Sequence, residues 1–127
     1  KVFRLSEQYL IRAEARANQK NYSGASKDLS DLRRARFQGG NGSISVSEQN
    51  WLEIIEEERV RELYMEGFRL QDLKRWHKGF ERKPQEQSLT NGSSLKIEAD
   101  DVRFVWPIPK HELESPGSQI QPNESNK

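Results

Sequence analysis

Three glutamates stand side by side at Glu56, Glu57 and Glu58, and two aspartates at Asp100 and Asp101. Adjacent acids raise the question of glycoside hydrolysis, which needs two carboxyls facing each other across a cleft roughly 5–10 Å apart. Consecutive helix residues point in different directions, so the glutamate run does not make such a pair, and no catalytic residue is assigned. His77 and His111 are the only histidines. Neither belongs to a cluster spaced for a metal, and no metal or other cofactor is expected. The chain has no cysteine, which excludes disulfides, zinc thiolate sites and a cysteine nucleophile. Trp51, Tyr64, Trp76, Phe80, Phe104 and Trp106 could stack on a sugar face. Each lies in a pattern where core packing is the default, so no ligand-binding residue is named.

Composition limits what can position these side chains. The chain has 127 residues, enough for one domain, with apolar and charged content both at 32%. Such a chain builds a small core for the conformational entropy it must overcome. It opens with "KVFRLSEQYL", inside an amphipathic pattern and without an initiator Met or signal peptide. We therefore expect a portion of a longer polypeptide, with the remaining N-terminal part of the same protein covering it. No apolar run could span a bilayer, so any anchor is expected outside these residues. Net charge is +1 with the signs interspersed. That gives no one-signed basic face for nucleic acid. The cluster Asp31–Arg36, "DLRRAR", reads as cations at a helix C-terminus.

The periodicity predicts helices from Leu5 to about Lys20, with Ser6 as a possible cap, and from about Ser23 to Arg36. Joined by a tight turn, they make an antiparallel hairpin over residues 1–36, the unit of tetratricopeptide-like repeats. A glycine-rich loop follows. Ser47, or failing that Asn50, caps a third helix from Trp51 to Glu66. Gly67 ends or bends it, and Phe68 to Trp76 continues helically, so residues 47–79 form a charged helix region. Residues 80–99 read as a loop, polar and mobile between Lys83 and Ser94. Residues 100–127 read as an extended C-terminal segment, pinned by Phe104 and Trp106, with one helical turn at Lys110–Glu114 and a frayed tail. The fold class is all-α with an irregular, extended C-terminal part.

The stretch Glu58–Trp76, "ERVRELYMEGFRLQDLKRW", is the most informative. On a helical wheel Leu52, Ile55, Arg59, Leu63 and Glu66 share a face, so Arg59 and Glu66 take apolar positions. Glu62 lies one turn from Arg59, Glu66 one turn from Arg69, and Asp72 one turn from Arg69 and Arg75. Two readings stay open on spacing alone. One is a solvated helix laced with surface ion pairs of roughly 0.2–0.5 kcal/mol each. The other is a partly buried ion ladder that close packing on several sides must support.

The same residues resemble the signature of the SusD/RagB family of outer-membrane nutrient-uptake lipoproteins. The pattern E-R-x-x-E-L-x-x-E-G-x-R-x-x-D-L-x-R-W reads here Glu58, Arg59, Glu62, Leu63, Glu66, Gly67, Arg69, Asp72, Leu73, Arg75 and Trp76. "LSEQYLIRAEARAN" (Leu5–Asn18), "DLSDLRRAR" and "VWPIPKHEL" (Val105–Leu113) resemble further family blocks, in the family's order. The tail departs from the family's closing N-P-G-Y. The resemblance implies the C-terminal portion of a larger, mostly helical SusD-like fold. It implies a lipid-anchored protein at the cell surface of Bacteroidetes that captures a glycan or peptide nutrient and passes it to a SusC-like TonB-dependent transporter. It implies a binding protein, not an enzyme. It makes Glu58, Arg59, Glu62, Glu66, Arg69, Asp72 and Arg75 an internal structural ion network, with Gly67 permitting close backbone approach and Trp76 and Trp106 packing. The N-x-S sequences beginning at Asn21, Asn41, Asn91 and Asn123 then read as turn and loop chemistry. The competing function is a helical-repeat scaffold for protein partners without a nutrient ligand.

Overall fold

The structure, a computed structural model, describes residues 4–37, 39, 41–83 and 95–126. They fall into two compact units, residues 1–68 and 69–127. Helix dominates, and the fold class is all-α. Among the described residues the one strand pairing is a two-residue ladder in the second unit.

The first unit opens with α1, Leu5–Asn18. Arg4 rather than Ser6 takes the N-cap position, and Ser6 is buried inside the helix. α2 spans Tyr22–Arg36 and is capped by Asn21, whose Oδ1 accepts from the Gly24 N–H at 3.0 Å. The apolar stripes of the two helices meet. Leu10, Ala13 and Ala17 of α1 are buried with Ala25, Leu29 and Leu32 of α2. Arg12 pairs with Asp28, and Arg16 donates to the Gly24 carbonyl. Residue numbers fall on one helix as they rise on the other, so the hairpin is antiparallel.

The connector after α2 is an ordered strap over residues 41–46. Asn41, Ser43 and Ser45 are exposed while Gly42, Ile44 and Val46 are buried, the alternation of extended chain. The Ile44 N–H donates to Ser30 Oγ at 2.9 Å and the Val46 N–H to Ser26 Oγ at 2.9 Å. The register follows from geometry. Four helix residues rise about 6 Å, and two extended residues span about 6.6 Å. Hydroxyls one turn apart on α2 therefore meet amides two residues apart on the strap. Ser30→Ala would leave the Ile44 N–H buried without its acceptor. It is expected to cost about 1–2 kcal/mol and to appear as faster hydrogen exchange at Ile44.

The strap carries the chain back along α2, so α3, Trp51–Glu62, runs parallel to α2 and antiparallel to α1. Arg33 meets Glu58, Arg36 meets Glu62, and Arg4 ahead of α1 reaches the Glu62 carbonyl. Asn50 holds the N-cap position, and its Oδ1 accepts from the Ser47 N–H at 2.7 Å. The helix expected to reach Glu66 stops at Glu62. Met65 and Gly67 adopt φ of 62° and 83°, left-handed angles that break the helical path. Among the described residues nothing lies within 4 Å of where a Gly67 Cβ would stand. The glycine is thus required for its backbone angle and not for room.

Helix α4, Phe68–Arg75, starts at the last residue of the first unit, and its remainder, in the second, buries Asp72 and Leu73. β1, Phe80–Glu81, pairs antiparallel with β2, Lys96–Ile97, placing Phe80 opposite Ile97 and Glu81 opposite Lys96. This ladder was not anticipated. Gly79 makes it possible, because a Cβ there would stand 2.1 Å from the Ile97 carbonyl oxygen. At the same end His77 Nδ1 and Asp100 Oδ1 are 2.8 Å apart. From residue 84 to 94 the segment expected to be mobile lies outside the described residues.

Val102–Phe104 form a 3-10 turn instead of the extended segment expected there. Asp101 is the reason. Its carboxylate accepts from the Arg103 backbone N–H at 2.8 Å and from the Arg103 guanidinium at 2.8 and 2.7 Å. These bonds, the side-chain ones first, hold the Asp101 carboxyl down at about 2. An unfolded aspartate titrates near 3.9. The contribution of this clamp is therefore complete above about pH 4 and is lost as pH falls through about 2. A carbon-detected NMR titration should put the Asp101 midpoint near 2, and Arg103→Gln should return it towards the unfolded value.

Phe104 is buried, as expected, but Trp106 is 81% exposed. The chain around Trp106 is held through its backbone. Asn123 donates to the Trp106 carbonyl at 2.9 Å, and the Asn126 amide both accepts from the Ile108 N–H and donates to the Ile108 carbonyl. The tail is thus tied down through Asn126 instead of frayed. The helical turn expected near Lys110 is α5, Lys110–Leu113.

Candidate functional site

The densest chemistry in the first unit lies where α2 and α3 run side by side. Their C-terminal ends carry like-signed partial charge, and cations there are favourable. Arg33, Arg36 and Arg61 supply them. Glu58 is 5% exposed. It accepts from Arg33 Nε at 3.0 Å and also from Arg61, whose second amino group meets Glu57 at 2.8 Å. Glu62 accepts a two-point fork from Arg36, with Nε at 2.9 Å. Arg36 is the main reason the Glu62 carboxyl is held below the usual carboxylate range, and the Arg36 guanidinium is raised in return. Arg4 Nη2 reaches the Glu62 backbone carbonyl at 2.8 Å and Glu66 Oε1 at 2.7 Å.

The charged stretch is therefore braced across elements as well as along its own helix, where Arg61 meets Glu57 and Glu58. Glu58, Glu62 and Glu66 take partners from α2 and from the residue ahead of α1. Arg59 is buried, with its guanidinium 6.0 Å from the Phe68 ring centre. Glu66 is exposed, because the early end of α3 removes it from the wheel that placed it beside Ile55. In the second unit Asp72 is buried and accepts from Arg75 Nε at 3.0 Å, and Arg75 lies 4.3 Å over the half-buried Trp76 ring. Arg69 is exposed.

The spacing argument missed a second brace. Asp28 is 1% exposed and sits between two arginines of α1. Arg12 gives it bonds of 3.0 and 2.7 Å, and Arg16 Nη1 lies at 2.7 Å. The signal was present in the sequence. Asp28 falls on the stripe of Ala25, Leu29 and Leu32, and Arg12 and Arg16 stand four residues apart.

Two hollows flank Arg36. One, of about 220 Å³, is lined by Leu32, Phe37, Arg33, Arg61 and the Glu58 and Glu62 carboxylates. The other, of about 280 Å³, lies towards Leu5 and Tyr9 of α1. Of the six aromatic candidates, Tyr64 and Trp106 are exposed, Phe104 is buried, and Trp51, Trp76 and Phe80 are half-buried. Phe37, which the pattern did not single out, is 59% exposed at the rim of the smaller hollow. His77 and His111 are exposed beside Asp100 and Glu112. Among the described residues no group of His, Cys, Asp and Glu could hold a metal, and no helix is long and apolar enough to cross a membrane. The arrangement suits reversible binding through planar charged groups.

The sequence profile of the SusD family matches residues 1–124. The chain belongs to the SusD family. That family is known for nutrient binding at the cell surface and is associated with the outer membrane. Its members bind rather than catalyse, and they work with SusC-like transporters. Comparisons with curated proteins and with solved structures gave no significant match. In this SusD-family chain the charged signature is split between α3 and α4, and its glutamates serve to join three elements of the first unit.

Proposed function

We propose that this chain serves a cell-surface protein that captures a glycan and hands it to a SusC-like TonB-dependent transporter of the outer membrane. The observation that carries the reading is the family match over residues 1–124. Binding without catalysis agrees with the chemistry of the first unit, where carboxylates are engaged by arginines in pairs and forks. A lipid anchor, if attached through a cysteine, lies outside these residues, since the chain has none. The structural ion network, the left-handed turn at Gly67 and the half-buried Trp76 belong to the scaffold in this reading, not to the ligand.

The test uses the complete protein in native gels cast with starch, a mannan, a xylan or a pectin, and affinity capture from outer-membrane extracts. Retardation by at least one polysaccharide and co-capture of a TonB-dependent transporter are expected. No retardation by any glycan, with capture of a soluble protein partner instead, would replace the reading with the helical-repeat scaffold. Binding of peptides alone would change the nutrient class. Release of reducing sugar from a bound glycan would overturn the non-catalytic assignment.

A further inference from the structure

We propose that the hollow between the C-terminal halves of α2 and α3 seats one sugar ring, with Phe37 as its stacking platform. The inference rests on the glycan reading above and deepens it by naming a subsite. A pyranose offers a flat face of C–H groups and a rim of hydroxyls, each both donor and acceptor. A subsite for it needs an exposed apolar plane beside planar polar groups that hold neighbouring hydroxyls in pairs.

The hollow supplies both. Phe37 follows the last residue of α2 with extended backbone, φ −107° and ψ 115°. That turns the chain out of the helix at the rim. Its ring is largely in solvent, so the core does not require it. Leu32 and the arginine stems complete walls that are mostly carbon. The polar groups are already positioned. Arg33 and Arg36 each use Nε and Nη2 on Glu58 and Glu62. Those forks hold the guanidinium planes still and do not consume the Nη1 amino groups. Arg61 uses its two terminal amino groups on Glu58 and Glu57, and its Nε–H is not part of either contact. Donors fixed in advance by carboxylates lose little freedom when a hydroxyl arrives. Carboxylate oxygens in the same wall accept from hydroxyl hydrogens.

Size sets the class of ligand. Pockets for drug-sized molecules run to about 300–1,000 Å³. A hollow of about 220 Å³ suits a single ring of a longer glycan, with the rest of the chain lying outside. Such a subsite is weak alone and gains from further contacts along the same polymer.

The test takes the complete protein and the polysaccharide that retards it, then a matching oligosaccharide by calorimetry. Phe37→Ala and Arg61→Gln are each compared with the parent, with thermal melting as the folding control. Phe37→Ala should weaken the oligosaccharide by roughly tenfold with melting unchanged, and Arg61→Gln should weaken it in the same direction. Should Phe37→Ala fail to fold, Arg61→Gln decides. Unaltered affinity in a folded variant overturns the subsite while leaving glycan capture in place. A parent protein that no polysaccharide retards overturns the proposed function and this inference with it.

Discussion

Asp28→Ala is expected to lower the unfolding free energy by about 3 kcal/mol, the lower end of the range for breaking a buried ion pair. The carboxylate is almost wholly out of water, accepts two hydrogen bonds from Arg12 and forms an ion pair with Arg16. Removing it leaves two cations of α1, four residues apart, without their shared counter-charge, and a gap on the α2 face beside Leu29. The effect is kept from the upper end of the range because both arginines reach solvent and can be rehydrated. Asp28→Asn keeps the shape and loses the charge, so it should fall between parent and alanine variant. Urea unfolding followed by circular dichroism gives the order directly. Glu66→Ala is the contrasting case. Its partner Arg4 is also partly in water, and the change is expected to stay within about 1 kcal/mol. Equal effects at Asp28 and Glu66 would mean that burial does not set the strength of these pairs.

Ile55→Ala is expected to cost a further class of energy, about 3 kcal/mol of lost burial and cavity. Ile55 is completely buried, and the other buried residues within α3 are the charged Glu58 and Arg59. Ile55 is thus the one fully buried apolar side chain within α3, helped by half-buried Trp51, Leu52 and Ile54 and by Leu63 just past the helix. The variant should release α3 ahead of the α1–α2 hairpin, whose own core of Leu10, Ala13, Ala25 and Leu29 is intact. Hydrogen exchange should show α3 amides opening at lower free energy than those of α1. Val60→Ala, on the exposed side of the same helix, should lie within about 0.5 kcal/mol of the parent. Uniform loss of protection over all three helices would show instead that the unit opens as one body.

The helices were legible because their cores are periodic. Leu10, Ala13 and Ala17, and then Ala25, Leu29 and Leu32, recur at the spacing of one helix face, and each set is buried. The end of α3 was not legible, because the wheel carries on past Glu62 while Met65 turns left-handed, an angle no side-chain pattern announces. The β1–β2 ladder was hidden for a similar reason. Two-residue strands have no period, and only the close approach at Gly79 marks them. For the ion network, the sequence identified residues that resist a simple solvated helix and one of the pairs, Asp72 with Arg75, but not the partners that come from other elements. It looked one turn along the same helix, whereas Arg4, Arg33 and Arg36 come from distant positions. The family was legible from the motif itself, while the hollow at Phe37 depends on how two parallel helices end and left no mark in the motif.

The connector at residues 41–46 docks through its own amides and through Gly42, Ile44 and Val46, while the side chains of Asn41, Ser43 and Ser45 face outward. Ser43 and Ser45 can drift in evolution, or accept a fluorophore or short epitope, without disturbing the contacts that fix the path of the chain, whereas Asn41 accepts from the Ser43 N–H through its side chain. A dye attached through Ser43→Cys, in a chain with no other thiol, would report on this region from a chemically unique handle.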